Sequence, residues 1–165
     1  MDAKEPGPRR ARDLMSGPPR TVRPDTTLAD LERALLEAGV GGFPVVEGGQ
    51  LVGVVSRSDV VRQLSVEQSL AELLASPPPE VGGGAAEPDA IAEQVGRRME
   101  ALRVRDVMNT DVVTVGPDAP LEEVARRLVD RHIHRVPVVE EGRLLGVVAA
   151  LDFVRLVAEG RLAPR

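Results

Sequence analysis

The chain writes one line twice. Residues 43–59 read FPVVEGGQLVGVVSRSD and residues 136–152 read VPVVEEGRLLGVVAALD. A constant offset of 93 residues separates Pro44 from Pro137, Gly53 from Gly146 and Asp59 from Asp152. The same offset aligns Arg12, Asp13 and Met15 with Arg105, Asp106 and Met108, and Thr21, Val22, Pro24, Asp25 and Leu28 with Thr114, Val115, Pro117, Asp118 and Leu121. No gap is needed, and 22 of the 51 positions in 12–62 are identical to their counterparts. A repeat of this extent is the signature of one supersecondary design used twice. Two such copies are expected to pack about a pseudo-two-fold axis, as a symmetric dimer would within one chain.

Each copy reads the same way. A short extended Thr-Val segment precedes a proline, and Pro24-Asp25-Thr26-Thr27 or Pro117-Asp118-Ala119-Pro120 supplies turn and N-cap chemistry. Leu28, Leu31, Leu35 and Leu36, or Leu121, Val124, Ala125 and Leu128, then recur at helical spacing. Two β-branched runs follow, PVVE and LVGVVS or LLGVVA, around the turns Gly48-Gly49 and Glu141-Gly142. Asp59 or Asp152 precedes a last helix carrying Val60, Val61 and Leu64, or Phe153, Val154 and Val157. The expected fold is mixed α/β, of the α+β kind, with two β-α-β-β-α units at residues 11–64 and 104–160. Residues 1–10 read as a disordered tail. Residues 65–103 read as a linker, helical at both ends, with a mobile Pro/Gly loop near 76–89 that serves as a spacer or as a regulatory lid.

Composition narrows the function. With 2 Phe and no Trp or Tyr the core is aliphatic, and there are no aromatic platforms on which bases stack. A net charge of -5 also argues against nucleic acid as a partner. The absence of Cys excludes disulfides, thiol catalysis and Cys-ligated zinc. No signal peptide or membrane-length apolar run is present, so the chain is expected in the cytoplasm. The Ala, Gly, Pro and Arg usage, with Lys4 the single lysine, has the look of a GC-rich bacterial coding bias.

RDLM and RDVM, the Thr-Val-x-Pro segments, PVVE, the turn glycine, the GVV strand and the Asp at the last helix together resemble the CBS domain, named after cystathionine β-synthase. The resemblance covers residues 11–64 and 104–157. It implies a stand-alone tandem pair, a sensor with clefts between the two units that hold AMP, ADP, ATP, S-adenosylmethionine or a similar adenosine compound, and a homodimer that modulates a partner protein. It implies no enzyme activity and no required cofactor.

The family's ribose-phosphate motif is Gly, two apolar residues, Ser or Thr, two of any kind, Asp. The first copy has it in full, from Gly53 through Ser56 and Arg57 to Asp59. A carboxylate at a helix start accepts both ribose hydroxyls, while a hydroxyl and helix N-terminal amides suit phosphate. Asp59 as a plain helix cap is the competing reading. The second copy keeps Gly146 and Asp152 but replaces the hydroxyl by Ala149. The two clefts are therefore expected to differ, with the Asp59 cleft binding a phosphorylated nucleotide better. The resemblance places adenine at Thr21 and Val22, and at Thr114 and Val115, read by backbone groups; pseudo-symmetry leads to the expectation that one copy's segment faces the other copy's Asp, and the sequence does not fix which pairs with which. His134 and Arg135, just before the second PVV strand, are expected to face phosphate.

His132 and His134 would share a strand face, but no third ligand is specified, so no metal site is expected. No nucleophile–base pair and no phosphate-loop lysine are visible. Two readings stay open. One is a non-enzymatic adenine-nucleotide sensor. The other is a dimerisation or interaction scaffold with vestigial clefts.

Overall fold

The computed structural model describes residues 10–75 and 88–161. Their elements, in chain order, are α1 (Ala11–Leu14), α2 (Leu28–Ala38), β1 (Gly42–Glu47), β2 (Gln50–Ser56), α3 (Arg57–Ala75), α4 (Pro88–Ala101), α5 (Val104–Val107), α6 (Leu121–Asp130), β3 (Arg135–Glu140), β4 (Arg143–Ala149) and α7 (Ala150–Ala158). The fold is mixed α/β, with two small two-stranded sheets, β1-β2 and β3-β4.

Local chemistry sets the element ends. Thr27 caps α2 by accepting the Asp30 amide at 3.0 Å. Gly39 closes that helix in the left-handed conformation, φ 62°. The second copy puts His132 at the same place with φ 51°. Both hairpin turns have two successive positive φ values, at Gly48-Gly49 and at Glu141-Gly142. Two positive φ values are what a two-residue turn matched to strand twist requires.

The chain divides into two compact units. One consists of Thr21–Val46 and Val52–Thr110 and is called here the Asp59 unit. The other, the Asp152 unit, consists of the residues before Thr21, the turn Glu47–Leu51 and the residues from Asp111 onward.

In the Asp59 unit, Val22 forms a parallel bridge with Val45 beside β1, and Asn109 an antiparallel bridge with Val54 beside β2. The Val54 and Asn109 amides each donate to the other's carbonyl at 2.9 Å. Val22, Leu28, Leu31, Leu35, Phe43, Val45, Val55 and Val104 form the core. In the Asp152 unit, Val115 bridges Val138 and Ser16 bridges Val147. β3 and β4 run antiparallel, with Arg135 opposite Ala149 and Val138 opposite Gly146. Ala11, Val115, Val124, Leu128, Val136, Val138 and Val148 form that core.

Each compact unit therefore draws on both sequence repeats. The leading segment of each repeat completes the sheet of the other. The glycine of GVV is the physical reason. A Cβ on Gly53 would lie 2.9 Å from Met108 Sδ and 3.0 Å from the Asn109 carbonyl. A Cβ on Gly146 would lie 2.9 Å from Met15 Sδ and would overlap the Ser16 carbonyl. The methionine of one repeat covers the bare backbone of the other. The initial Thr-Val strand of the expected β-α-β-β-α order shrinks in both copies to single bridging residues, Val22 and Val115.

Three element bounds differ from the expected ones. The last helix of the first copy and the start of the linker are one rod, α3, of 19 residues and about 28 Å. No Pro or Gly interrupts residues 57–75, so nothing stops the helix. It packs against α4, where Glu67, 2% exposed, is the buried charged residue among the described ones. Arg98 Nε donates to Glu67 Oε2 at 2.9 Å and Gln63 Nε2 to Oε1 at 3.1 Å. Pro88 and Asp89 open α4 rather than belonging to a loop; residues 76–87 lie outside the described ones. Arg10 is not tail. It bridges Pro120, and both Arg10 and Arg12 pair with Asp118. Residues 1–9 lie outside the described ones.

Two outcomes are expected in urea unfolding. Gly146→Ala should cost about 1–3 kcal/mol, because the new methyl meets backbone that must shift. His132→Gly should stabilise by about 1 kcal/mol, because glycine adopts a positive φ without steric cost.

Candidate functional site

β2 passes into α3 with no residue between them: Ser56 ends the strand and Arg57 begins the helix. Asp59 therefore sits at the third helical position, where a carboxylate reaches back to the residue before the helix. Its Oδ2 accepts the Ser56 amide at 2.8 Å and the Ser56 hydroxyl at 2.6 Å. Its Oδ1 accepts Arg62 Nη1 at 3.2 Å. The Asp59 side chain is 12% exposed. The Arg57 amide donates to the Gly41 carbonyl at 3.0 Å, tying the helix start to the beginning of β1.

The second copy repeats the geometry with fewer bonds. The Ala149 amide donates to Asp152 Oδ2 at 2.8 Å. Arg155 Nη1 stands 3.7 Å from Oδ1, an ion pair rather than a hydrogen bond. Asp152 is 20% exposed. The Ala150 amide donates to the His134 carbonyl at 2.9 Å. Arg135 is exposed and directly opposite Ala149 in the sheet.

The cap reading of Asp59 and Asp152 is thus realised, whatever else they do. Each Thr-Val segment lies in the same unit as the Asp of its own repeat. The Val22 amide donates to Pro44 and its carbonyl accepts from Val46, at 3.1 and 2.9 Å. Val115 repeats this with Pro137 and Val139 at 3.1 and 2.8 Å. The main-chain groups of Val22 and Val115 are thus committed to the sheet. Gly53 is buried against Met108 and Asn109, which gives it a packing role. Ser56 is half-buried and Arg57 exposed. His132 and His134 are exposed, and among the described residues no group of three or more potential ligands could hold a metal ion.

Sequence reasoning passed over Arg62 and Arg155. Their signal was present: both copies place Arg three residues after the motif Asp, a spacing that brings opposite charges together on a helix. Arg62 occupies Asp59 Oδ1, while Arg155 pairs with Asp152 Oδ1 at longer range.

The bond counts predict unequal caps. Asp59→Ala should cost about 1–2 kcal/mol and Asp152→Ala about half that, because the first leaves more donors without an acceptor. Equal losses in denaturant titrations of the two variants would contradict this.

Comparison with known proteins agrees with the repeat. The family model described as "CBS domain" matches residues 11–66 and 104–159. The uncharacterized protein MJ1426 of Methanocaldococcus jannaschii is 31% identical over 151 residues, covering 87% of this chain and 88% of that protein. The CBS domain of a CBS domain-containing membrane protein from Sphaerobacter thermophilus superposes with a TM-score of 0.62 at 32% identity, covering 89% of this chain and 86% of that one. CBSX2, solved in complex with AMP, has a TM-score of 0.67 at 25% identity, covering 92% of this chain and 98% of that one. No helix among the described residues is long and apolar enough to cross a membrane.

Proposed function

The chain belongs to the CBS domain family as a tandem pair, and from that premise we propose that it is a non-enzymatic regulatory module that binds an adenosine-containing ligand and modulates a partner protein. The observation that carries the reading is the placement of a helix-starting aspartate, in both units, within one strand-to-helix junction. Asp59 with Ser56 and Arg57, and Asp152 with Arg135 and His134, each set a carboxylate beside first-turn amides that have no intrahelical acceptor. A carboxylate suits a ribose diol; amides and cations suit phosphate. Thr21 and Thr114 lie in the matching units and would contact the base. AMP bound to CBSX2 supports the ligand class.

A regulatory ligand acts through differential affinity: it favours the shape of the module that binds it better. The proposed partner of the first kind is a second copy of the chain. Both repeats leave the same positions apolar and exposed: Leu36 and Val129, Val61 and Val154, Leu64 and Val157, at 47–69% exposure. Exposed apolar groups at repeated registers give each unit an apolar face suited to association. That surface also supports the scaffold reading, in which association is the whole function.

The test is thermal unfolding against AMP, ADP, ATP, NAD, S-adenosylmethionine and adenosine in turn. At a concentration of about 100 Kd, a ligand specific for the native state stabilises by about 2.7 kcal/mol, a rise of roughly 5–10 °C for a chain of this size. One adenine compound should give that rise, and Asp59→Ala combined with Asp152→Ala should remove it. No rise with any compound at millimolar concentration leaves the scaffold reading. In sedimentation, Val61→Glu with Val154→Glu should convert a dimer to a monomer.

A further inference from the structure

We infer that α4 is a strap that comes away from α3 while the core of the Asp59 unit stays folded, and that the ion pair of Glu67 with Arg98 is its latch. Neither strand-to-helix junction takes part. The closed form covers Glu67 and the open form bares it, so the chain has two shapes that differ by one helix.

The repeat supplies an internal control. At the offset of 93 residues, Glu67 aligns with Gly160. Gly160 has φ 62° and follows Glu159, the C-cap of α7, so the second copy stops its helix there. The first copy has no glycine at that place and α3 runs on to Ala75. The Asp152 unit closes its core without such an extension. The second half of α3 and the whole of α4 are thus an addition to one unit, not an element that the common design requires. The residue that replaces the stopping glycine is the one that holds α4.

The hold is polar. Of the described residues of α3, Glu67 is the one that is buried, while Val66 and Leu73 are exposed. The core of the Asp59 unit is drawn from Val22, α2, β1, β2 and Val104. Glu67 Oε1 accepts from Gln63 on its own helix, so the charge that neutralises Glu67 comes across from α4 through Arg98. A buried carboxylate requires that cation. Yet the pair adds little net stability, because two charges are dehydrated to form it. Arg98 is already half-exposed, and opening returns Glu67 to water as well. The two forms are therefore close in free energy, and the pair sets where α4 docks. The far end of α4 is fixed: Arg103 Nη1 donates to the carbonyls of Glu100, Ala101 and Leu102 at 2.9–3.1 Å, and Val104 beside it is fully buried. That end is the pivot.

Amide hydrogen exchange of the full chain in low urea tests this. The amides of α4 should exchange through an opening with a shallower urea dependence than those of Val46 and Val54, which are bonded to Val22 and Asn109. Arg98→Ala should speed exchange in α4 by about tenfold to hundredfold and leave Val46 and Val54 unchanged. Adding Glu67→Gln should restore most of the protection, because a neutral amide no longer requires a cation. A contact that served packing alone would lose more with the second substitution. Circular dichroism checks that each variant is folded; should Arg98→Ala fail to fold, the urea dependence of the unchanged chain decides. One common urea dependence for α4 and the sheet overturns the strap. No change on Arg98→Ala, equal acceleration of α4 and sheet, or no recovery in the double variant overturns the latch.

Discussion

The structure rests on the closing of each two-stranded sheet by a segment from the opposite repeat. An isolated hairpin is at best marginally stable in water, and two strands bury too little to hold a helix layer. β2 acquires its outer neighbour from Asn109, and β4 from Ser16. Both contacts depend on a strand position without a side chain, Gly53 or Gly146, over which Met108 or Met15 lies. Val104 and Ala11, completely buried at the start of these segments, tie the same contact into each core. The helices that carry the aspartates are then held at the ends of β2 and β4 by strands that are themselves held in place.

Much of this was readable in the residues. The 93-residue offset gave the two copies, the turn chemistry gave the hairpins, and helical spacing gave α2 and α6. The exchange of leading segments was not readable. Arg12-Asp13 and Arg105-Asp106 precede their own repeats at identical distance, and no local signal states which sheet either joins. Pairing of that kind is decided by the match between a methionine and a glycine far away in sequence, which periodicity does not encode. Helical spacing also overextended the core. Leu36, Val61 and Leu64 fall in apolar patterns but are exposed, because a small unit offers only one layer beneath each helix.

The junction chemistry shows a different limit. A motif names the residue types, and Ser56 with Asp59 satisfies it. What a motif does not give is which hydrogen bonds those groups make with each other. Two groups that each suit a ligand also suit one another, and at 2.6 Å they are paired. The loss of the serine in the second copy changes the first-turn bonding of α7 from two donors on one oxygen to one.

The exchange also imposes an order on assembly as the chain leaves the ribosome. The Asp59 unit draws almost wholly on residues 21–110, so most of its contacts exist once that stretch has emerged. The Asp152 unit needs α1, made early, and β4, made late: Ser16 meets Val147 across 131 residues and Arg10 meets Asp118 across 108. Closing a loop that long costs entropy before any contact rewards it. Until then the apolar side of α1, with Ala11 and Met15, has no sheet to cover. A nascent chain ending near residue 110 would hold one finished unit and an α1 still without the sheet it covers.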